Sequence, residues 1–157
     1  MAKADKIIVS RLDNFFDNFQ KDHSELDSLI ASFRKAVETS DRVKAKGILS
    51  RINEITEGHF TFEETYFYPR LRRLVSEITE NLRREQETVR DFVTKSKSFL
   101  GRNKSKESEL SNLLGTLPRL SKFLEQCNDL IPLARKFNQY DREDLNKRFK
   151  ECRKIKA

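Results

Sequence analysis

Two unbroken apolar stripes constrain this chain more than any other feature. Leu12, Phe16, Phe19, His23, Leu26, Ile30, Phe33 and Val37 follow one another at intervals of four and three residues. An α-helix turns once in about 3.6 residues, so that alternation keeps all eight on one side. Ile48, Ile52, Ile55, His59, Phe62 and Tyr66 repeat the interval. A strand would instead show apolar residues at every second position. The pattern stops between the stripes, at Thr39-Ser40-Asp41. Asp41 suits a helix start, because its carboxylate accepts from the free amides of a first turn. The spacing predicts helices over about 5–38 and 42–75, with Pro69 kinking or ending the second.

The same reading continues downstream. A third helix is expected over about 77–100, through Ile78, Leu82, Gln86, Val89, Val93 and Phe99. GRNKSK (101–106) reads as a polar loop opened by glycine. A fourth helix is expected over about 107–137, with Leu113, Leu117, Leu120, Leu124, Cys127, Ile131 and Ala134 inward. Gly115 and Pro118 weaken its first part, and Pro132 sits near its end. Asp141 is placed to cap a short fifth helix carrying Leu145 and Phe149. Short connections between long helices favour antiparallel neighbours. The chain therefore reads as all-α: an up-down-up-down antiparallel four-helix bundle with a short C-terminal fifth helix, one domain over 1–157.

Composition agrees and narrows the function classes. Hydrophobic and charged residues each make up 36%, with four Gly, three Pro and twelve Phe. Few breakers and much aromatic bulk suit amphipathic helices around a real core. Two cysteines without a CxxC pair give no disulfide framework, which points to a reducing, cytoplasmic setting. No apolar run has signal-peptide or membrane-spanning character, so no membrane insertion is expected. The net charge of +7 is concentrated partly in residues 147–157, with six basic side chains and one Glu. That run reads as a solvated helix end. Nucleic-acid binding is disfavoured, since no organised aromatic or helix-turn-helix surface accompanies it. Catalytic fingerprints such as GxSxG or a P-loop are absent. Glu63 and Glu64 are neighbours, about 100° apart on a helix, and cannot act as a general acid/base pair. An enzyme is not expected.

The chain's two histidines both fall on the stripes. His23 lies 17 residues before residue 40 and His59 lies 19 after it. In an antiparallel hairpin they reach the same height within about 3 Å. Glu63 is four residues beyond His59 and shares its face. Two imidazoles and a carboxylate can hold one divalent metal ion with positions left open. The competing reading is two hydrogen-bonded core histidines, with Glu63 paired to a basic side chain.

DHSELDSL (22–29) and GHFTFEETYFYPRL (58–71) resemble the first two ligand segments of hemerythrin-like, cation-binding HHE domains. The second is the more specific, with His59, the acidic pair Glu63-Glu64, and the aromatic run Phe67-Tyr68 ending in Pro69. The resemblance extends over about residues 5–150. It implies that His23, His59 and Glu63 are metal ligands, Glu63 matching the carboxylate that bridges two irons in the family. The second half departs from the pattern. REQETVRDF (84–92) has Gln86 where the family has His. In SKFLEQCNDLIPLARKF (121–137) one register puts Lys122 at the fourth-helix His and Gln126 at its Glu, while the apolar stripe puts Gln126 or Cys127 near the interior. Neither segment contains a histidine. One ion at most is expected, iron or zinc, with water, Glu87 or Cys127 as a fourth ligand. Cys127 also fits as a plain core residue. An inward Lys122 would pair with Glu63 and leave the site metal-free.

By resemblance, the function is a non-haem metal-binding module in oxygen, nitric oxide or iron sensing, with a small diatomic ligand. Oxygen storage in the family's manner needs two irons and is disfavoured. The alternative is a metal-free pseudo-hemerythrin that acts as a scaffold for a protein partner.

Overall fold

A computed structural model describes residues 2–73, 75–102 and 107–155, with the side chains of the first helix described from Phe16 onward. The stripe position Leu12 and loop residues 103–106 lie outside what is described. Helix α1 spans Ala2–Glu38 and α2 spans Arg42–Phe62. The second helix continues through a π-helical turn, Glu63–Phe67, and a last α-turn, Tyr68–Leu71. Helix α3 is Ser76–Leu100, α4 is Glu107–Asn128, and α5 is Gln139–Arg153. A single turn, Ile131–Ala134, lies between α4 and α5.

The bundle runs up-down-up-down, and cross-helix pairs show the sense of each neighbour. Glu25 meets Arg51 while His23 meets His59, so α1 and α2 run antiparallel. Arg90 reaches Glu64 while Arg72 reaches Glu80, which sets α3 against α2. Arg119 pairs with Glu85 and Arg102 with Glu109 between α3 and α4. The fourth side is closed by His23 with Asn128 and Arg34 with Leu114. Helix α5 packs on α1 and α2. Two edge-to-face ring pairs cross the bundle diagonally: Phe33 with Phe92 at 5.6 Å, and Phe60 with Phe123 at 6.0 Å. Such pairs add about 0.5–1.5 kcal/mol each beyond their buried area.

The α1–α2 corner forms as its sequence implies. Ser40 takes φ 59°, the left-handed region. The Asp41 amide then donates to Ala36 O at 2.8 Å and that of Ser40 to Val37 O at 3.1 Å, satisfying carbonyls that end the helix. The Asp41 carboxylate caps α2 by accepting from the Lys44 amide at 3.1 Å. In α4, Pro118 lacks the N–H that would bond Leu114 O. The Arg34 Nη2 donates to that carbonyl at 3.3 Å.

Three expectations need correction. Ile78 is 46% exposed, and the inward stripe of α3 begins at Thr79 and Leu82. The fourth helix stops at Asn128 rather than near 137. Pro132 occupies the start of the next turn, where its missing N–H costs nothing. Asn138, not Asp141, caps α5: its side chain accepts from the Asp141 amide at 2.8 Å. Asn138 is extended, as a cap residue must be, so the helix gains a turn the sequence reading left out.

Candidate metal centre

All five helices meet at one level of the interior. There α1 supplies Asp22 and His23, α2 supplies His59, its π turn Glu63, and α3 Gln86. Asn128 comes from the end of α4 and Arg153 from the last turn of α5. The structure brings the three sequence-nominated residues together: His23 Nε2 is 3.1 Å from His59 Nε2, and His59 Nε2 is 3.5 Å from Glu63 Oε1. All three are almost fully buried. Rings close the surroundings, with Phe19 4.5 Å from each imidazole and Phe149 5.6 Å from His59.

The far nitrogen of each ring explains why the near ones face inward. His59 Nδ1 lies 2.9 Å from Asp22 Oδ2, and a carboxylate can only accept, so Nδ1 carries a proton. His23 Nδ1 lies 2.7 Å from Asn128 Oδ1, an amide oxygen that also accepts. A neutral ring with its proton on Nδ1 presents a bare lone pair at Nε2. Burial is the leading cause that pushes His23 down to about 3, so its ring is neutral near pH 7. With both rings in that tautomer, two nitrogen lone pairs face one another beside a carboxyl oxygen of Glu63. A cation suits such a point, either a shared proton or a metal ion.

Glu63 is held at this point by the irregular turn. Positions five apart are about 140° apart on an α-helix. The π turn, closed by the Tyr68 amide on Glu63 O, brings Tyr68 round toward Glu63 instead. Pro69 follows, a residue whose ring opposes a regular helix just upstream. Gln86 Nε2 donates to Glu63 Oε1 and to the Tyr68 hydroxyl, each at 3.1 Å. Burial raises the Glu63 pKa, while His59 and the hydrogen bonds from Tyr68 and Gln86 oppose the rise. Glu63 Oε2 and Gln86 Oε1 are buried without a hydrogen-bond partner. Orphaned acceptors beside converging lone pairs are what an ion, or a water upon it, would satisfy.

The donor set fits one ion in chemistry and in part in geometry. Nitrogens about 2.1 Å from a metal stand about 3.0–3.4 Å apart in octahedral or tetrahedral arrangements, and the two Nε2 atoms are at 3.1 Å. Each Nδ1–H is anchored by an oxygen, as metal-bound imidazoles are. Glu63 is less advanced, since its Oε1 is engaged by Gln86. Among the described residues no group of three or more His, Cys, Asp or Glu side chains is arranged to hold a metal ion. On the other side of the level, Gln86 and Asn128 are neutral amides.

The register of α4 is now resolved. Lys122 and Gln126 are exposed and Cys127 is buried, so the apolar stripe sets the orientation. An inward Lys122 replacing a cation is thereby overturned. Glu87 is also exposed and paired with Arg90, which removes it as a fourth ligand. Burial and the Glu63 charge push the Cys127 thiol well up, so it is a core residue rather than a thiolate donor. Four participants were missed: Asp22, Asn128, Tyr68 and Arg153. Asp22 carried a signal, being a carboxylate one residue before a stripe histidine. Arg153 sat in a basic run read as solvated, yet its side chain is 9% exposed and its Nε donates to Asp22 Oδ2 at 2.6 Å.

The family model described as the hemerythrin HHE cation binding domain matches residues 14–129. Neither the curated proteins nor the solved structures compared with the chain gave a match. Among the described residues, no helix is long and apolar enough to cross a membrane.

Proposed function

The chain belongs to the hemerythrin HHE cation-binding domain family, and on that premise we propose a metal-binding module that holds a single iron or zinc ion on His23, His59 and Glu63. The observation that carries the reading is the convergence of two Nε2 lone pairs at 3.1 Å, each fixed by an acceptor on the opposite ring nitrogen. An ion bound there would keep positions open for water or a small diatomic ligand such as oxygen or nitric oxide. The chain's own residues do the rest. Asp22 and Asn128 hold the ring orientations, and Phe19 and Phe149 keep water away. Gln86 and Tyr68 steady Glu63. With amides where further ligands would stand, sensing of a gas or of metal supply suits the site better than storage. We read the protein as a binding module rather than an enzyme, acting in a reducing, cytoplasmic setting.

A second reading has its own support. Gln86 already engages Glu63, and a shared proton would satisfy the histidine pair. A metal-free pseudo-hemerythrin acting as a scaffold for another protein would look the same. Metal analysis after expression in iron- and zinc-supplemented medium separates the two. We expect about one ion per chain in the wild type and little in His23→Ala. A His23→Ala protein that keeps the wild-type metal content would overturn the assignment. Isolation without metal, with no thermal shift on adding iron or zinc, would favour the scaffold.

A further inference from the structure

Helix α5 lies wholly outside the segment that matches the family, yet it reaches the centre. Its backbone lies against α2 at Gly58: a Cβ there would be 2.6 Å from the Cys152 carbonyl oxygen and 3.2 Å from Arg153 Cδ. That approach presents the last turn of α5 to Asp22. Arg153 Nε donates to Asp22 Oδ2 at 2.6 Å and Nη2 to Oδ1 at 3.2 Å. The same Oδ2 accepts from His59 Nδ1 at 2.9 Å. One carboxylate oxygen therefore joins the C-terminal helix to an imidazole of the site. One turn earlier, Phe149 sets its ring edge-on to that imidazole.

We propose that Arg153 is a positioning residue for His59, and that docking of α5 and occupancy of the metal site are coupled through Asp22. The coupling rests on the metal reading above; the control of the ring does not. The physical steps are short. With both prongs of the guanidinium in place, Asp22 has one orientation, and Oδ2 points at His59 Nδ1. Without them Asp22 is a buried carboxylate held by His59 alone and free to turn. His59 then loses its fixed acceptor, and its proton can move to Nε2, where it cancels the lone pair the site needs. Linkage works in both directions. Whatever makes α5 favour the metal makes the metal favour a docked α5, so the state of the site reaches the C-terminal helix.

The null alternative is that Arg153 only clamps a helix in place. Nitrogen-detected NMR of the His59 ring in metal-free protein distinguishes the two. We expect a protected Nδ1–H signal in the wild type, its loss or a mixture of tautomers in Arg153→Met, and partial return in Arg153→Lys. Leu117→Ala loosens the bundle toward its other end, near the Arg34–Leu114 contact, and should leave the signal intact. Zinc affinity by chelator competition should fall about 10–100-fold in Arg153→Met, the range for groups that orient a metal-bound imidazole. Zinc should slow amide exchange in residues 139–153 of the wild type and not of Arg153→Met. An unchanged His59 ring signal in Arg153→Met, or equal loss in Leu117→Ala, overturns the positioning role. Zinc uptake with no change in α5 exchange overturns the coupling. If the wild type takes up neither zinc nor iron, the metal reading and the coupling fall together, and the ring signal still decides what Arg153 does.

Discussion

The two halves of the bundle fill the same interior level with different chemistry. The α1–α2 hairpin places two imidazoles and a carboxylate there. The α3–α4 hairpin buries Gln86 there, and from the exposed end of α4 the Asn128 amide reaches in to His23. The amides are not idle. Gln86 steadies Glu63 and the Tyr68 hydroxyl, and Asn128 fixes the His23 ring. One half supplies the imidazoles and, through Asp22, the hold on His59; the other orients Glu63 and His23. The contrast teaches that the two halves of one interior level can divide the work, one carrying titratable groups and the other the amides that hold them.

The largest effect should come from breaking the donor half. In His59→Ala, Asp22 and Glu63 lose their shared partner and stay buried. Taking a hydrogen-bond donor from a buried carboxylate costs about 1.5–3 kcal/mol before the emptied ring volume is counted, and urea unfolding of the metal-free protein should show a loss of at least that size. Gln86→Met changes the support half. It removes one donor to Glu63 but also an amide oxygen that has no partner. Its cost should be about 1 kcal/mol. Equal losses in the two variants would erase the distinction between the halves.

Acid should come next and should also act through the donor half. Burial holds His23 at about 3, against 6.5 for a free imidazole. Between those values the unfolded chain takes up a proton that the folded chain refuses. Stability from His23 is therefore complete above about 6.5 and is lost as pH falls toward 3, by at most about 1.4 kcal/mol per unit. Glu63, raised by burial, works the other way: its folded form keeps a proton at pH values where the unfolded form has lost it. Asp22 is held below its ordinary 3.8, since bonds from His59 and Arg153 outweigh its burial, and it matters only under stronger acid. The difference between wild type and His23→Gln isolates the first contribution. Urea midpoints at pH 7.5 and pH 5 should separate more for the wild type than for the variant. Identical slopes would mean that His23 is not held neutral.

The sequence made the donor half legible and much of the support half illegible, for identifiable reasons. A stripe at four- and three-residue spacing fixes which side of a helix faces inward. Counting outward from Thr39-Ser40-Asp41 then levels His23 with His59. Both steps are local. Asn128 contacts His23 only because α4 stops there, and the apolar pattern runs on past it through Ile131 and Ala134. Tyr68 joins Glu63 through a π turn; Pro69 hinted at irregularity without saying which kind. Arg153 depends on a backbone approach at Gly58 and on tertiary docking of α5, whereas the charge pattern alone showed another basic residue at a basic helix end. Lys122 marks the boundary between legible and illegible, because its two registers were equally local and only packing could choose.

That choice yields the smallest predicted effect and a sharp check on the support half. With Lys122 exposed and Leu120, Leu124 and Cys127 buried, the α4 surface near the site is apolar inside and charged outside. Lys122→Ala should change stability by less than about 0.5 kcal/mol, as exposed substitutions usually do. It should leave zinc uptake unaltered as well. The opposite register makes a very different forecast. An ammonium inside the bundle would neutralise Glu63, and its removal would strand a buried carboxylate at a cost of several kcal/mol while opening the site to a cation. A Lys122→Ala protein that is markedly less stable, or that gains metal the wild type lacks, would reverse the assignment of α4. It would also return the support half to a salt bridge in place of a pair of amides.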